Sequence, residues 1–394
     1  MDPRENPYAP GAGSPPPELA GRDDVLEQAS IAVDRIGKGL HARSLILVGL
    51  RGVGKTVLLN RMRQDAEAKK AVCTRIEAPE DRSLPAMLAP ALRAALVRLD
   101  RLEAAAAAGN RLLGVLAGFL KAAKIKYGDV EVGLDLDIEK GVADTGDLQT
   151  DLADLLETIG MAAKAGRTSF VLFIDELQYV REPELAALIH ALHRCAQSQL
   201  PVALFGAGLP QLRGRMGEAK SYAERLFEFP QVGALDDPAA RRALNVPANA
   251  RGVFYEEAAL ADILRQTHGY PYFLQEWGKH AWTAAARTPI TLADARTATS
   301  TALAELDASF FRVRFDRLTP AEKRYLRAMA ELGAGPHRSG DIADMLGKKV
   351  TTLGPTRAAL INKGMIYSPA HGDTAFSVPL FDGFMRRVMP VFGR

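Results

Sequence analysis

The 394-residue sequence contains only two cysteines, Cys73 and Cys195. Two cysteines cannot build a disulfide framework, and they show no metal-site spacing, which favours a reducing compartment. No apolar run reaches the length that a membrane-spanning helix needs, and the first residues lack the basic-then-apolar pattern of a secretory signal. These absences argue against disulfide-rich secreted proteins and membrane proteins, and they predict a cytoplasmic protein.

A strong excess of one charge is also missing, because 50 Lys and Arg face 47 Asp and Glu, a net charge of +3. The excess is local. Residues 301–394 contain 14 Lys and Arg and 9 Asp and Glu, a net of +5 (14 − 9), so the first 300 residues carry −2 (3 − 5). A basic C-terminal segment on a near-neutral chain of two or three domains favours a nucleic-acid partner.

The octapeptide "GLRGVGKT" at 49–56 is the most informative stretch of the sequence. It fits the P-loop pattern, in which glycines turn the backbone so that successive N–H groups point at phosphate. Lys55 would bring a cation to the β- and γ-phosphates, and the Thr56 hydroxyl would reach Mg²⁺. The predicted ATP-binding residues are therefore Gly49, Arg51, Gly52, Val53, Gly54, Lys55 and Thr56.

The segments on both sides of this loop agree with that interpretation. "SLILVGL" (44–50) is a short apolar run typical of a strand buried on both faces, and residues 56–70 have a helical pattern. Strand, glycine loop and helix together place a helix N-terminus against phosphate.

A second motif, "SFVLFIDELQYV" (169–180), predicts another central parallel strand that ends in two carboxylates. Ligands bind at the carboxyl end of such strands. Asp175 would hold Mg²⁺ together with Thr56. Glu176 would act as the base that takes a proton from the attacking water, and Lys55 would stabilise the transferred phosphate.

With a further apolar strand at 201–208, these motifs resemble the AAA+ superfamily, in its origin-recognition-like and STAND branch. The resemblance implies an α/β fold: a P-loop AAA+ parallel sheet with helices on both faces, a helical lid and a C-terminal winged helix. It also makes Gly21 and Arg22 of "PPPELAGRDDVLEQA" adenine-side residues, and it implies ATP and Mg²⁺ as cofactors.

Three family positions differ or need a partner subunit. Where the family places a polar sensor after the third strand, this sequence has Gly206, Ala207 and Gly208. Arg225 matches the arginine finger that acts on a neighbouring subunit, although Arg213 or Arg215 could serve instead. The lid stretch "HGYPYF" (268–273) offers Pro271 toward the base and no second sensor arginine, which implies a slow, switch-like ATPase.

The predicted domain organisation starts with a disordered, Pro-rich arm at 1–17. The nucleotide-binding domain follows at 18–235, with an inserted helix and a β-hairpin within about 85–148, the hairpin at 123–138. The lid is expected at 236–310. Residues 316–394, here called the C-terminal module, read as three short helices and a hairpin, the winged-helix order.

The function of that module is left open between two alternatives. One is an ATP-controlled protein that binds duplex DNA and assembles with itself when ATP is bound. The other is a STAND-like signalling or scaffold ATPase whose module binds protein. The DNA-contact candidates are Lys348, Lys349, Thr351, Thr352, Thr356, Arg357, Lys363 and His371.

Overall fold

A computed structural model of the chain describes residues 1–11, 13–78, 82–100, 109–122 and 141–392. Short apolar segments form a parallel sheet of order β2-β3-β4-β1-β5. The three strands that the sequence predicts are its three central neighbours β3, β4 and β1. The strands are β1 (Ser44–Val48), β2 (Val72–Glu77), β3 (Phe170–Asp175), β4 (Val202–Gly208) and β5 (Phe227–Glu228).

Alternate residues of these strands enter two apolar layers, one on each face of the sheet. Leu45 and Phe205 pack with α1 and α2, whereas Ile46, Leu172 and Leu204 pack with helices of the opposite face. This arrangement confirms the predicted α/β class with helices on both faces. The helices of the domain are α1 (Asp23–Gly37), α2 (Lys55–Ala68), α3 (Leu84–Asp100), α4 (Gly109–Ala122), α5 (Leu148–Ala165), α6 (Glu182–Gln197), α7 (Leu212–Ala219) and α8 (Ala223–Leu226).

The predicted insertion between the two nucleotide motifs contains α3 and α4, which contact each other and α5. The predicted hairpin at 123–138 lies outside the described residues. Within the described part of the chain, no helix is both long and apolar enough to cross a bilayer.

The lid follows the sheet as a set of helices that surround the fully buried Trp277. Its helices are α9 (Asp237–Asn249), α10 (Glu257–Thr267), α11 (Pro271–Ala284) and α12 (Leu292–Ala308). A short helix, α13 (Phe310–Asp316), leads from the lid to the C-terminal module. The same apolar core continues from the lid through α13 into that module.

The N-terminal arm is ordered, so the predicted disorder of residues 1–17 is wrong for its described part. Tyr8 is 4% exposed and its hydroxyl donates to the Leu244 carbonyl oxygen (2.5 Å). The Trp282 indole donates to the Asp2 carbonyl oxygen (2.9 Å), and Asn6 donates to the Lys279 carbonyl oxygen (3.0 Å). A Pro- and Gly-rich composition predicts disorder only while no apolar anchor is available.

The C-terminal module contains the helices and hairpin that its sequence predicts. A capping box starts α14, because the Glu322 amide donates to the Thr319 hydroxyl and the Thr319 amide donates to the Glu322 carboxylate. An unpredicted short strand, β6, joins the hairpin in a sheet of order β6-β8-β7. The elements are α14 (Pro320–Leu332), β6 (His337–Arg338), α15 (Ser339–Met345), α16 (Val350–Asn362), β7 (Ile366–Tyr367), β8 (Asp373–Phe376) and α17 (Phe381–Val388).

Candidate nucleotide-binding site

The P-loop connects β1 to α2 at the carboxyl edge of the sheet. Gly54 precedes α2 with a φ of 92°, a left-handed conformation that favours glycine. Lys55 is 7% exposed, and its ammonium donates to the carbonyl oxygens of Gly49 (2.9 Å) and Leu50 (2.8 Å). Burial lowers the pKa of Lys55 to about 8, although the Glu176 and Asp175 carboxylates oppose this shift. A buried ammonium held only by neutral carbonyls is suited to an anionic ligand.

The two predicted metal ligands lie together although 119 positions separate them in the sequence. The Thr56 hydroxyl donates to the Asp175 carboxylate at 2.6 Å. Thr56 starts α2 after β1, and Asp175 ends β3, so the two strand ends meet at one edge of the sheet. Hydroxyl and carboxylate oxygens are ligands that Mg²⁺ prefers, so the two residues fit a bound magnesium ion.

Glu176 follows Asp175 in the left-handed backbone region, with a φ of 54°. Its carboxylate lies 3.8 Å from the Arg51 guanidinium, and the Gln178 amide donates to it. The P-loop arginine and the glutamine therefore fix the orientation of the predicted base.

The end of β4, where the family places a polar sensor, has little space for a side chain. A side chain at Gly206 would overlap Leu177 Cδ1 and lie 2.9 Å from Ile46 Cδ1, so the strand has no room for one. Gln178 is buried over Gly208 and accepts a hydrogen bond from the Leu209 amide (3.1 Å). A buried polar group from the segment after β3 therefore lies beside the end of β4. No local pattern in the sequence marks it.

The nucleotide cavity has a volume of about 610 Å³ and lies between the P-loop, the lid and the arm. Arg22 and Pro271, both predicted from the family resemblance, line it. The Arg22 guanidinium donates to the carbonyl oxygens of Val53 and Gly233, which couples it to the P-loop. Gly21 has a φ of 64° and packs near Ala239, outside the lining.

The arm forms one wall of this cavity. Ala9 to Gly11, Gly13, Ser14 and Pro16 line it, and a Cβ at Gly13 would be 3.2 Å from the Thr56 methyl group. This contribution could not be predicted from the sequence, because a Pro- and Gly-rich segment carries no signal of where it packs.

Both the lid and the C-terminal module contact the P-loop directly. The Tyr272 amide donates to the Gly52 carbonyl oxygen (3.1 Å), and the Arg51 amide donates to the Ser377 carbonyl oxygen (3.2 Å). The Arg51 guanidinium donates to the Tyr179 hydroxyl (2.7 Å) and lies against Gly364 of the module. The nucleotide site is therefore built from every part of the fold.

The predicted arginine finger lies apart from the cavity of its own chain. Arg225 is an exposed residue of α8 and does not line the cavity. Arg213 is exposed and lies over the Phe229 ring (5.8 Å). Arg215 donates to the carbonyl oxygens of Gln178 and Val180, so its guanidinium holds this chain's own loop.

The DNA-contact candidates fall into two groups. Arg357 and Lys363 form hydrogen bonds inside the module, and their role as DNA contacts stays a prediction. Arg357 donates to the Thr374 and Ser368 hydroxyls and to the Asp373 backbone carbonyl oxygen, and Lys363 pairs with Glu322 at 2.8 Å. Thr356 is half-buried. The exposed candidates, at the start of α16 and in the β7–β8 turn, are Lys348, Lys349, Thr351, Thr352 and His371.

Comparisons with known proteins agree with this geometry. Residues 18–205 match the family model of the AAA ATPase domain, and residues 308–385 match a domain of unknown function (DUF8462). A Walker-type ATPase of Pyrococcus abyssi is 16% identical with a TM-score of 0.57, covering 93% of this chain and 96% of that chain. No curated protein matches the chain.

Two further solved structures are similar at lower TM-scores. The Orc1 protein of Aeropyrum pernix in complex with DNA is 15% identical with a TM-score of 0.46, covering 94% of each chain. The RuvB Holliday junction branch migration motor of Thermotoga maritima is 14% identical with a TM-score of 0.44, covering 91% of this chain and 92% of that chain.

The fold and the site together define a P-loop nucleotide-binding protein of the AAA+ class. The match of residues 18–205 to the family model of the AAA ATPase domain agrees with this class. The predicted AAA+ resemblance is thereby confirmed, whereas the winged-helix assignment of the C-terminal module stays a prediction.

Proposed function

We propose that this protein is a slow ATPase that acts as a nucleotide-controlled switch, with Mg²⁺ as its cofactor. The hydrogen bond between Thr56 and Asp175 carries this proposal, because it places two magnesium ligands beside a buried lysine at the mouth of a P-loop. A bound magnesium ion would neutralise charge on the β- and γ-phosphates. Lys55 would exchange its carbonyl partners for phosphate oxygens.

Glu176 supplies the proton acceptor in this scheme. Its carboxylate orients the attacking water and takes its proton, while Arg51 stabilises negative charge nearby. Arg51 and Gln178 engage Glu176 in the present arrangement, so the base has to exchange partners before it reaches water. This requirement favours slow turnover.

The contact between Arg51 and Ser377 supports a switch. Movement of the P-loop on nucleotide binding has to be transmitted to the C-terminal module or break this hydrogen bond. We propose that the module is a winged helix that binds duplex DNA through the start of α16, with Lys348 and Lys349 on phosphate. The local net charge of +5 supports this partner.

A protein partner is the second candidate for the module. Lys363 is paired with Glu322, and Arg357 donates to hydroxyl and carbonyl oxygens of its own module, so Lys348 and Lys349 are the exposed lysines at the start of α16. An exposed Val350 at the start of α16, 47% accessible, suits a protein interface better than a phosphate backbone.

Nucleotide binding is tested first. Lys55→Ala is expected to abolish or nearly abolish ATP binding, because it removes the cation that faces the β/γ-phosphates. Calorimetric titration of wild type and variant with ATP and Mg²⁺ measures this loss. Unchanged ATP affinity in Lys55→Ala would overturn the assignment of the P-loop.

The salt dependence of the binding affinity distinguishes a DNA partner from a protein partner. Affinity for a duplex should fall steeply with salt, and Lys348→Ala/Lys349→Ala should reduce the slope of log K against log salt by about 2. Lys38→Ala/Lys164→Ala is a matched control, because both lysines are exposed on the ATPase domain. Salt-independent or absent duplex binding favours the protein partner.

A further inference from the structure

Arg314 of α13 lines the nucleotide cavity, and no sequence motif marks it. Its guanidinium lies 3.9 Å from the centroid of the Phe310 ring. Phe310 stacks on Tyr272 with centroids 5.0 Å apart, and the Tyr272 amide is bonded to Gly52 of the P-loop. This stack holds the arginine beside the phosphate-binding loop.

The charged groups nearest to Arg314 in the described part of the chain are other cations. Among the described residues it forms no ion pair with a carboxylate, and its guanidinium donates to the Phe310 carbonyl oxygen (2.6 Å). Burial lowers the pKa of Arg314 to about 10, and the nearby cations Arg51 and Arg317 lower it further. Holding a half-buried guanidinium among other cations costs free energy, and an anion that binds beside it lowers that cost.

Its position identifies which part of a nucleotide it would meet. An adjoining cavity of about 490 Å³ lies between the P-loop and the C-terminal module. Arg314 lines both cavities, as do Arg51 and Glu176. Arg22 and Pro271, on the predicted base side, line only the first cavity. Arg314 is therefore at the end where the P-loop arginine and the predicted base lie.

We propose that Arg314 binds the terminal phosphate of ATP from α13 of the same chain. This inference rests on the proposed ATP-binding function. The lid helix α11 contains no arginine that could do so, since its sequence is "PYFLQEWGKHAWTA". ADP lacks the terminal phosphate, so the contact distinguishes the two nucleotides.

The other face of α13 connects this contact to the C-terminal module. Phe311 and Phe315 are buried against Phe384 of α17, with ring centroids 5.3 Å and 5.7 Å apart. An arginine drawn toward phosphate would shift a helix that is packed into the core of the module. Loss of the phosphate on hydrolysis would release it.

The test compares nucleotides in the full-length protein. Arg314→Met keeps the apolar stem over Phe310 and removes the charge. We expect it to weaken binding of a non-hydrolysable ATP analogue about 10- to 100-fold, the loss typical of one charge-assisted hydrogen bond, and ADP binding by less than about threefold. Calorimetry with Mg²⁺ measures both. Arg312→Met is the matched control, because Arg312 is exposed on the same helix and pairs with Asp316.

The outcomes separate this inference from the function on which it rests. If wild type binds neither nucleotide, the proposed ATPase function fails. If wild type binds both and Arg314→Met lowers the two affinities equally, or lowers neither, Arg314 is not a ligand of the terminal phosphate. Arg314→Lys keeps a cation and should retain part of the preference for the ATP analogue, so a folded Lys variant tests the inference even if the Met variant unfolds.

Discussion

Glu176 is held between two partners, the Arg51 guanidinium and the Gln178 amide, at the end of β3. Glu176→Gln should keep ATP bound and reduce turnover by roughly 10²-fold or more, because an amide preserves shape but cannot take a proton from water. Phosphate release in steady state measures this, together with retention of radiolabelled ATP.

Glu77 provides the control for that substitution. It is exposed and lines the same cavity, so Glu77→Gln removes a carboxylate at a similar position without touching the predicted base. If turnover of Glu176→Gln stays within about threefold of wild type, Glu176 is not the base.

Gly206 shows why the family's sensor cannot lie on β4 in this chain. Gly206→Ser should lower the free energy of unfolding by about 1–3 kcal/mol, since the new side chain overlaps Leu177 and Ile46 in a close-packed layer. Urea unfolding measures the change. Gly214→Ser is the matched control, because a Cβ at Gly214 meets nothing within 4 Å and serine suits helix α7 better than glycine. A Gly206→Ser protein of wild-type stability would show that β4 has room for a sensor.

The P-loop and the Asp-Glu pair could be read from the sequence because each is a local pattern with a fixed backbone geometry. Gln178 and Arg314 could not. Gln178 lies over Gly208, and Arg314 lies over the Phe310 ring. Both positions form only when segments that are distant in the sequence pack together. Likewise, the sequence could not show that Arg357 and Lys363 bind to groups within their own module.

At the scale of the elements, the packing of the N-terminal arm on the lid depends on the buried Tyr8 side chain. Tyr8→Ala should cost about 3 kcal/mol of stability, because a buried ring on the lid core is removed. It should also speed nucleotide release, since residues 9–11 and 13–16 would no longer be fixed beside the P-loop. Thermal melting and the dissociation rate of a fluorescent ADP analogue measure the two effects.

Tyr8→Phe separates packing from hydrogen bonding in the same element. It keeps the ring and loses the hydroxyl contacts with Leu244 and Tyr255, so about 1 kcal/mol should be lost with the release rate unchanged. Equal release rates in Tyr8→Ala and wild type would mean that the arm does not retain nucleotide.

For the whole molecule, the open question is whether one chain completes its own site. Arg225→Ala should spare ATP binding and slow hydrolysis on the order of 10³-fold if Arg225 acts on a neighbouring subunit. Its exposure and its distance from the cavity of its own chain suit that role, whereas Arg215 is occupied by carbonyl oxygens. Mass measurement with and without an ATP analogue reports assembly.

Mixing two inactive proteins checks the same point. Arg225→Ala combined with Lys55→Ala should recover activity at interfaces where an intact arginine meets an intact P-loop. If both variants assemble but mixing restores nothing, Arg225 is structural. Arg61→Ala is the control, because Arg61 is an exposed arginine of the same domain that pairs with Asp65 and does not line the cavity.

The apolar core that runs from the lid through α13 into the C-terminal module has a consequence for how the chain comes apart. Trp277 of the lid, Phe311 of α13 and Phe384 of α17 belong to one continuous apolar cluster. If either part unfolded alone, the other would expose a broad apolar surface. We therefore expect the lid and the C-terminal module to unfold as one cooperative unit. A proteolytic cut near residue 308 is therefore not expected to release a stable N-terminal fragment. Such a fragment would expose the apolar surface of the lid, and the Arg51 amide of its P-loop would lose its hydrogen bond to Ser377.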